Sequence, residues 1–222
     1  MKTASARTIV AIDGPAASGK SSVARELARR LGFVYVNSGA MYRAITWLAL
    51  EHGISLGDHT AIVELAENAP LHSTLRDHDS ILLIGDVDPE PFLHQDRVNE
   101  NVSLVSSVPR VREILVDHLR RYALTNDLVM EGRDIGSVVF PDTPYKFYID
   151  ASPDIRLRRR EAQGLRDRIT ARDKADSSRR ASPLIIADDA HVIDSSSLTI
   201  DGVVGEIIGR LKMKGMQIPE TR

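Results

Sequence analysis

The sequence predicts an α/β domain, a parallel sheet with helices on both faces. Three observations carry that expectation. Short apolar runs rich in β-branched residues alternate with amphipathic helical stretches. The first run feeds directly into a glycine-rich loop that opens a helix. One segment, about residues 69 to 95, breaks the alternation with two strand-like runs in succession.

Thr8 to Asp13 (TIVAID) reads as a buried parallel strand, because it is apolar throughout rather than alternating. From Ser22 the spacing Val23, Leu27, Leu31 puts one apolar face on a helix whose other residues include Arg25, Glu26, Arg29 and Arg30, and Gly32 stops it. Phe33 to Val36 is a second strand. Met41 to His52 is helical, with Ala44, Ile45, Leu48 and Ala49 on one face and Gly53 at its end, and residues 60 to 68 suggest another helix. Leu71 to Arg76 and Ile81 to Ile84 then form a β-hairpin around Asp77-His78-Asp79, followed by a turn-rich stretch from Gly85 to Pro91. The expected division is a core of residues 1–68 and 96–222, interrupted by a β-rich subdomain at 69–95. Helices resume near Asp96, and Pro109 suits the first turn of a helix reaching about Leu124. Leu128 to Met130 and Lys146 to Ile149 are further strands. Val192–Ile193 is a last weak one, and Thr199 to Met213 the last helix.

The chain has 222 residues, which fits one α/β domain with an insertion. A formal net charge of -2 argues against a general nucleic-acid binder but leaves room for a local basic pocket. Without cysteine there is no disulfide framework, zinc–thiolate site or thiol nucleophile. Met1 to Thr8 has no apolar signal core, and no apolar run approaches a membrane span, so a cytoplasmic protein without membrane partners is expected. The histidines are scattered without metal-ligand spacing.

The strongest motif is Gly14-Pro15-Ala16-Ala17-Ser18-Gly19-Lys20-Ser21, a P-loop with Ser22 following. Its glycines let the backbone turn N–H groups toward phosphate oxygens, Lys20 reaches the β- and γ-phosphates, and the Ser21 hydroxyl suits Mg²⁺. The helix that follows adds its positive end. The expected donor is therefore a nucleoside triphosphate with Mg²⁺.

Asn37-Ser38-Gly39-Ala40-Met41-Tyr42-Arg43 lies at the C-terminal end of the second strand, on the ligand side of an open sheet. Ser38 can be a simple helix cap, with Arg43 a solvated residue; next to a P-loop, Arg43 can instead meet a second substrate's phosphate. Glu131-Gly132-Arg133-Asp134-Ile135-Gly136 follows another strand. Glu131 stands where a Walker B carboxylate orients Mg²⁺ or its water, and Arg133 suits a phosphate. Asp134 is an acceptor or a salt-bridge partner, and the whole stretch can also be a plain polar turn. The basic run holds Arg156, Arg158, Arg159 and Arg160, then Arg166, Arg168 and Arg172. It is either a solvated helix face or a lid closing on the γ-phosphate.

Taken together, the P-loop, NSGAMYR, Pro109-Arg110-Val111-Arg112, EGRDIG and the segment RDKADSSRRASPL at 172–184 resemble the bacterial cytidylate kinases, in the same order over about residues 8 to 213. The resemblance implies the P-loop nucleoside-monophosphate-kinase fold: a five-stranded parallel sheet, a β-rich insert in the monophosphate-binding region and an arginine-rich lid at about 155–172. It implies transfer of a phosphoryl group from ATP·Mg²⁺ to CMP or dCMP, and a compact kinase of this size is expected to be a monomer. Lys20, Arg43, Arg133 and Arg158 are the expected catalytic set, and Ser21 and Glu131 the metal side. Arg43 and Arg133 hold the acceptor phosphate. Ser38, Arg112, Asp134 and Arg179 surround the cytosine, and Ser103, Arg172 and Asp176 lie near the sugar. Cytosine's N4 amino group needs an acceptor such as Asp134, and its O2 and N3 suit arginine donors. The segment between Arg160 and Arg172 is shorter than the family pattern, which leaves open which lid arginine reaches the γ-phosphate. Rival readings are another small P-loop kinase, a P-loop switch protein and a nucleic-acid-binding ATPase; no NKxD-like run supports the switch.

Overall fold

The computed structural model describes residues 7–162, 169–179 and 182–218, the side chains of 169–172 excepted. Its sheet has seven strands in the order β3-β4-β2-β5-β1-β6-β7. The inner strands are β1 (Ile9–Asp13), β2 (Val34–Asn37), β5 (Leu128–Gly132) and β6 (Tyr145–Asp150), joined by β7 (His191–Asp194) at one edge, and all of these pair in parallel. The expected count of five is therefore corrected to seven. The hairpin strands β3 (Leu71–Arg76) and β4 (Asp79–Ile84) pair antiparallel and extend the same sheet. They join it where Asp79 at the hairpin tip pairs with Tyr35 of β2, reinforced by the Tyr35 N–H donating to the His78 carbonyl at 2.7 Å.

Parallel strands alternate their side chains between two covered faces. Val10 and Ile12 of β1 join Val129, Phe147 and Ile149 in one core, closed by Val23 and Leu27 of α1 (Lys20–Leu31) and by Val204 and Ile207 of α9 (Ile200–Met213). Ala11, Val36 and Met130 face the opposite core. That core is filled by Ala44 and Ile45 of α2 (Ser38–Glu51), Ile62 of α3 (His59–Asn68), Val105 of α5 (Asp96–Ser106) and Leu115 and Leu119 of α6 (Pro109–Tyr122). The short α4 (Glu90–Leu93) was not expected from the sequence; it stacks Phe92 flat on Trp47 with ring centroids 5.0 Å apart. Two further helices, α7 (Pro153–Ala162) and α8 (Ile169–Ser177), occupy the basic stretch.

The register aligns the C-terminal ends of the inner strands. Asp13 stands beside Gly132 and Tyr148, and Asn37 beside Glu131. A ligand cleft is expected at that edge of a parallel sheet. Among the described residues no helix is long and apolar enough to cross a membrane.

Candidate active site

One cleft of about 460 Å³ opens at this edge, lined on one side by P-loop residues and on the other by Arg43, Arg112, Arg133, Asp134, Asp176 and Arg179. The P-loop side is built by backbone. Gly14 adopts φ 155° and passes so close to the Ile149 carbonyl that a Cβ would collide with it, so the first turn of the loop requires glycine. α1 begins at Lys20 directly behind Gly19. Lys20 is buried and its Nζ donates to the Pro15 carbonyl at 3.0 Å, which folds the side chain back over the loop. Ala16, Ala17, Gly19, Lys20, Ser21 and Ser22 line the cleft, while Gly14, Pro15 and Ser18 do not. Ser21 Oγ donates to Glu131 Oε1 at 2.8 Å, and the Tyr35 hydroxyl meets the same oxygen at 3.3 Å. Burial pushes the Tyr35 hydroxyl well above its ordinary pKa, with Glu131 adding to the rise. Two hard oxygens side by side beneath a phosphate loop form a donor set that suits Mg²⁺, which retains water and is held largely by substrate phosphates.

The opposite side is built by charged side chains. The side chain of Asn37 caps α2 by accepting from the Ala40 N–H at 3.2 Å, so Ser38 is not needed as a cap. Ser38 Oγ instead donates to the Glu131 carbonyl at 2.8 Å, tying α2 to the end of β5. Gly132 permits this contact, because a Cβ there would strike Ser38 Oγ and Ile135. Arg43 comes one turn into α2. Its buried Nε has no hydrogen-bond partner among the described residues, and burial followed by the nearby Arg133 charge holds its pKa below the ordinary value. A desolvated guanidinium beside another like charge is a site that calls for an anion. Arg133 donates to Asp176 Oδ2 at 2.8 Å; burial works against its charge, and Asp176 more than offsets that.

Deeper in the cleft Arg112 is 3% exposed and ion-pairs with Asp134 Oδ2. It also donates to the Ser106 carbonyl at 3.1 Å and lies over the Tyr42 ring at 5.1 Å. Burial raises the Tyr42 hydroxyl to about 12, so it stays a neutral wall. Arg179 pairs with Asp176 Oδ1 at 2.7 Å, which makes Asp176 a bridge between two arginines. Ser103 of α5 lines the same cleft. The side chain of Arg172, and Arg166 and Arg168, lie outside the described residues.

The basic stretch divides by helix phase. Arg160 lines the cleft, whereas Arg158 is exposed and is not part of its lining. Arg156 ion-pairs with Asp173 and donates to the Ala16 carbonyl at 3.2 Å, and Asp173 Oδ1 accepts the Ala16 N–H at 3.1 Å. Arg159 donates to the Ser18 carbonyl at 3.1 Å and to the Ser195 carbonyl at 2.7 Å.

Several of these positions were not anticipated from sequence. Asp13, at the end of β1, accepts the Ile135 and Gly136 N–H groups at 2.8 Å each. Burial pushes its carboxyl up to about 7, against the pull of those two amides. A second cavity of about 350 Å³ abuts the P-loop and is lined by Gly19, Val23, Arg159, Ser195, Leu198 and Val203. A serine run after the last strand, Ser195-Ser196-Ser197, was the available signal for it.

The comparisons with known proteins agree with this geometry. A family model described as cytidylate kinase matches residues 10–213. The chain is 41% identical over 208 residues to proteins named cytidylate kinase from Streptococcus pyogenes serotype M12 (strain MGAS2096) and serotype M1, covering 88% of this chain and 92% of each relative. Among solved structures, an uncharacterized protein from Eubacterium ventriosum ATCC 27560 shares the fold with TM-score 0.52 at 14% identity, over 93% of this chain and 99% of that one.

Proposed function

Because the chain belongs to the cytidylate kinase family, we propose that it transfers the γ-phosphoryl group of ATP to CMP and dCMP, giving ADP with CDP or dCDP. The observation that carries this reading is the pairing within one cleft of a phosphate loop and Arg43, whose buried Nε has no hydrogen-bond partner among the described residues. An anion in that position faces the donor loop directly.

The proposed chemistry is positioning and charge neutralisation, which suffices for phosphoryl transfer. The P-loop amides and Lys20 hold the donor phosphates. The acceptor phosphate binds Arg43 and Arg133, and its ionised oxygen attacks in line without a general base. Ser21 and Glu131 are the proposed holders of Mg²⁺, the carboxylate through water. When bound, that ion neutralises charge on the β- and γ-phosphates. Arg160 is the proposed γ-phosphate contact from the basic stretch in place of Arg158, because it reaches the cleft and Arg158 does not. The cavity between Arg159, Ser195 and Leu198 is the proposed seat of the donor base, its apolar walls suited to a stacked ring.

Cytosine fits the deep end. Arg112 takes Oδ2 of Asp134, and Oδ1 has no bond among the described residues, so it can accept from N4. Arg112 and Arg179 offer donors for O2 and N3. Uracil reverses the pattern at N3 and C4 and would leave buried groups unpaired, which discriminates strongly. Ser103, Asp176 and Arg172 are proposed near the sugar. The same reading assigns residues 69–95 to the insert beside the acceptor and a lid that excludes water to about 155–172, of which 163–168 lie outside the described residues, with a cytoplasmic monomer as the working form.

The test is ADP formation with ATP·Mg²⁺ and a panel of CMP, dCMP, UMP, AMP, GMP and shikimate. CMP and dCMP are expected to be the best acceptors. A different best acceptor overturns the substrate assignment, and turnover that no acceptor stimulates overturns the kinase.

A further inference from the structure

Asp134 stands in the N-cap position of a π-helical turn, Ile135–Val139. An aspartate there ordinarily folds its own carboxylate onto the N–H groups of the first turn. Asp134 does not: it makes no side-chain cap bond, and its carboxylate goes to Arg112 inside the cleft. The Gly136 N–H, which it would ordinarily cap, and the Ile135 N–H before it are taken by another residue. Asp13 Oδ1 accepts from Ile135 and Oδ2 from Gly136, both at 2.8 Å. Asp13 is 6% exposed and forms no ion pair among the described residues. A buried carboxylate without a cation is costly unless hydrogen bonds hold it. Its two bonds go to the residues directly after Arg133 and Asp134, and the next residue in the chain is Gly14 of the P-loop.

We propose that Asp13 is a positioning residue for acceptor recognition: it caps the turn from the neighbouring strand and thereby releases the Asp134 carboxylate to read the acceptor base. The inference rests on the cytosine assignment made above. It adds that the donor loop and the base-reading turn are fixed to each other through one carboxylate, so the reach of Asp134 into the cleft depends on a residue that touches no substrate.

Asp13→Asn tests it in the full-length protein. Asparagine has the same shape, but its amide nitrogen cannot accept an N–H, so one turn amide is left unpaired and Asp134 becomes its nearest replacement cap. The expected result is a fall in kcat/KM for CMP of about tenfold or more, with the KM for ATP within about twofold of the parent. The decisive reading is the CMP:UMP ratio of kcat/KM, which should fall by about tenfold as Asp134 is drawn off the base. A merely structural role lowers both acceptors alike; an unchanged ratio overturns the inference. Gly136→Ala supplies a second variant should Asp13→Asn fail to fold. Its Cβ would lie 3.4 Å from Asp13 Oδ2 and 3.2 Å from the Lys146 side chain, crowding the bracket without removing it. It should lower the same ratio, and a parental ratio there also counts against the inference. The unmutated protein is measured alongside. If it shows no preference for CMP over UMP, the cytosine assignment fails by itself and takes this inference with it; if it does prefer CMP and the variants keep that preference, only the role of Asp13 is lost.

Discussion

The proposed donor side of the cleft comes from one short stretch, with Ala16, Ala17 and Gly19 to Ser22 lining it and the loop backbone as the proposed phosphate holder. The acceptor side draws Arg43 from α2, Arg112 from α6, Asp134 from the turn after β5 and Asp176 from α8. Peptide N–H groups are fixed by the loop itself. Charged side chains must be steadied in the absence of substrate, and here they steady one another: Arg112 with Asp134, and Arg133 and Arg179 with Asp176. A backbone site thus fails mainly through its one charged member. A side-chain site fails through any partner, and losing one leaves its mate buried and unpaired.

Lys20→Ala should show the largest effect and should strike chemistry alone. In the proposed reaction its ammonium faces charge that develops on the transferring group, and loss of one such contact lowers kcat on the order of a thousandfold. The fold should survive, since the Lys20 side chain lies at the mouth of the loop and donates to the Pro15 carbonyl of that same loop. A coupled assay for ADP with a parallel thermal melt checks both. Retention of more than about a tenth of kcat would mean that the loop is not the donor site.

Arg112→Leu should break the acceptor side through stability as well as activity. It leaves Asp134 buried without its cation, which costs about 3–5 kcal/mol. Replacing both partners, Arg112→Leu with Asp134→Leu, should recover most of that stability in urea unfolding while leaving acceptor use abolished. If the double variant is as unstable as the sum of the singles, the pair is not a desolvated couple and the contrast between the two sides weakens.

The same contrast governs what could be read in the sequence. The P-loop was legible because its chemistry is local: glycines, lysine and serine at fixed spacing after an apolar strand. The parallel core was legible for a similar reason, as TIVAID and the later runs are apolar and β-branched. On the acceptor side Arg43, Arg133 and Asp134 were legible as polar groups at strand ends beside a P-loop, but the set around the cytosine needed resemblance to a family, since nothing in the spacing brings Arg112, Asp134 and Arg179 together. The sheet was undercounted because β4 joins β2 through one pair at a polar hairpin tip, Tyr35 with Asp79, where no hydrophobic pattern marks the junction. Asp13 carries no sequence signal beyond being the polar end of an apolar strand. Within the basic run the helical period puts Arg156, Arg159 and Arg160 on one face of α7 and Arg158 off it, which is the sequence signal behind the proposal of Arg160.

The smallest expected effect sharpens the comparison from the donor side's own ion pairs. On α1, Glu26 accepts from Arg29 and Arg30, at 2.8 and 2.7 Å, away from the cleft and near solvent. Those bonds, Arg29 first, lower its pKa from 4.5 to about 2. A carboxylate depressed on folding contributes stability that is fully present above pH 4.5 and is lost as pH falls toward about 2. Exposed pairs are screened and weak, so Glu26→Gln should cost only about 0.5 kcal/mol at neutral pH, against several for Arg112→Leu. Thermal melts of the parent and Glu26→Gln across pH 2 to 7 should converge at the acid end and separate slightly above pH 4.5. A loss as large as that of Arg112→Leu would show that the chemistry of the pair, and not its burial, sets its worth, and the distinction drawn between the two sides would fall.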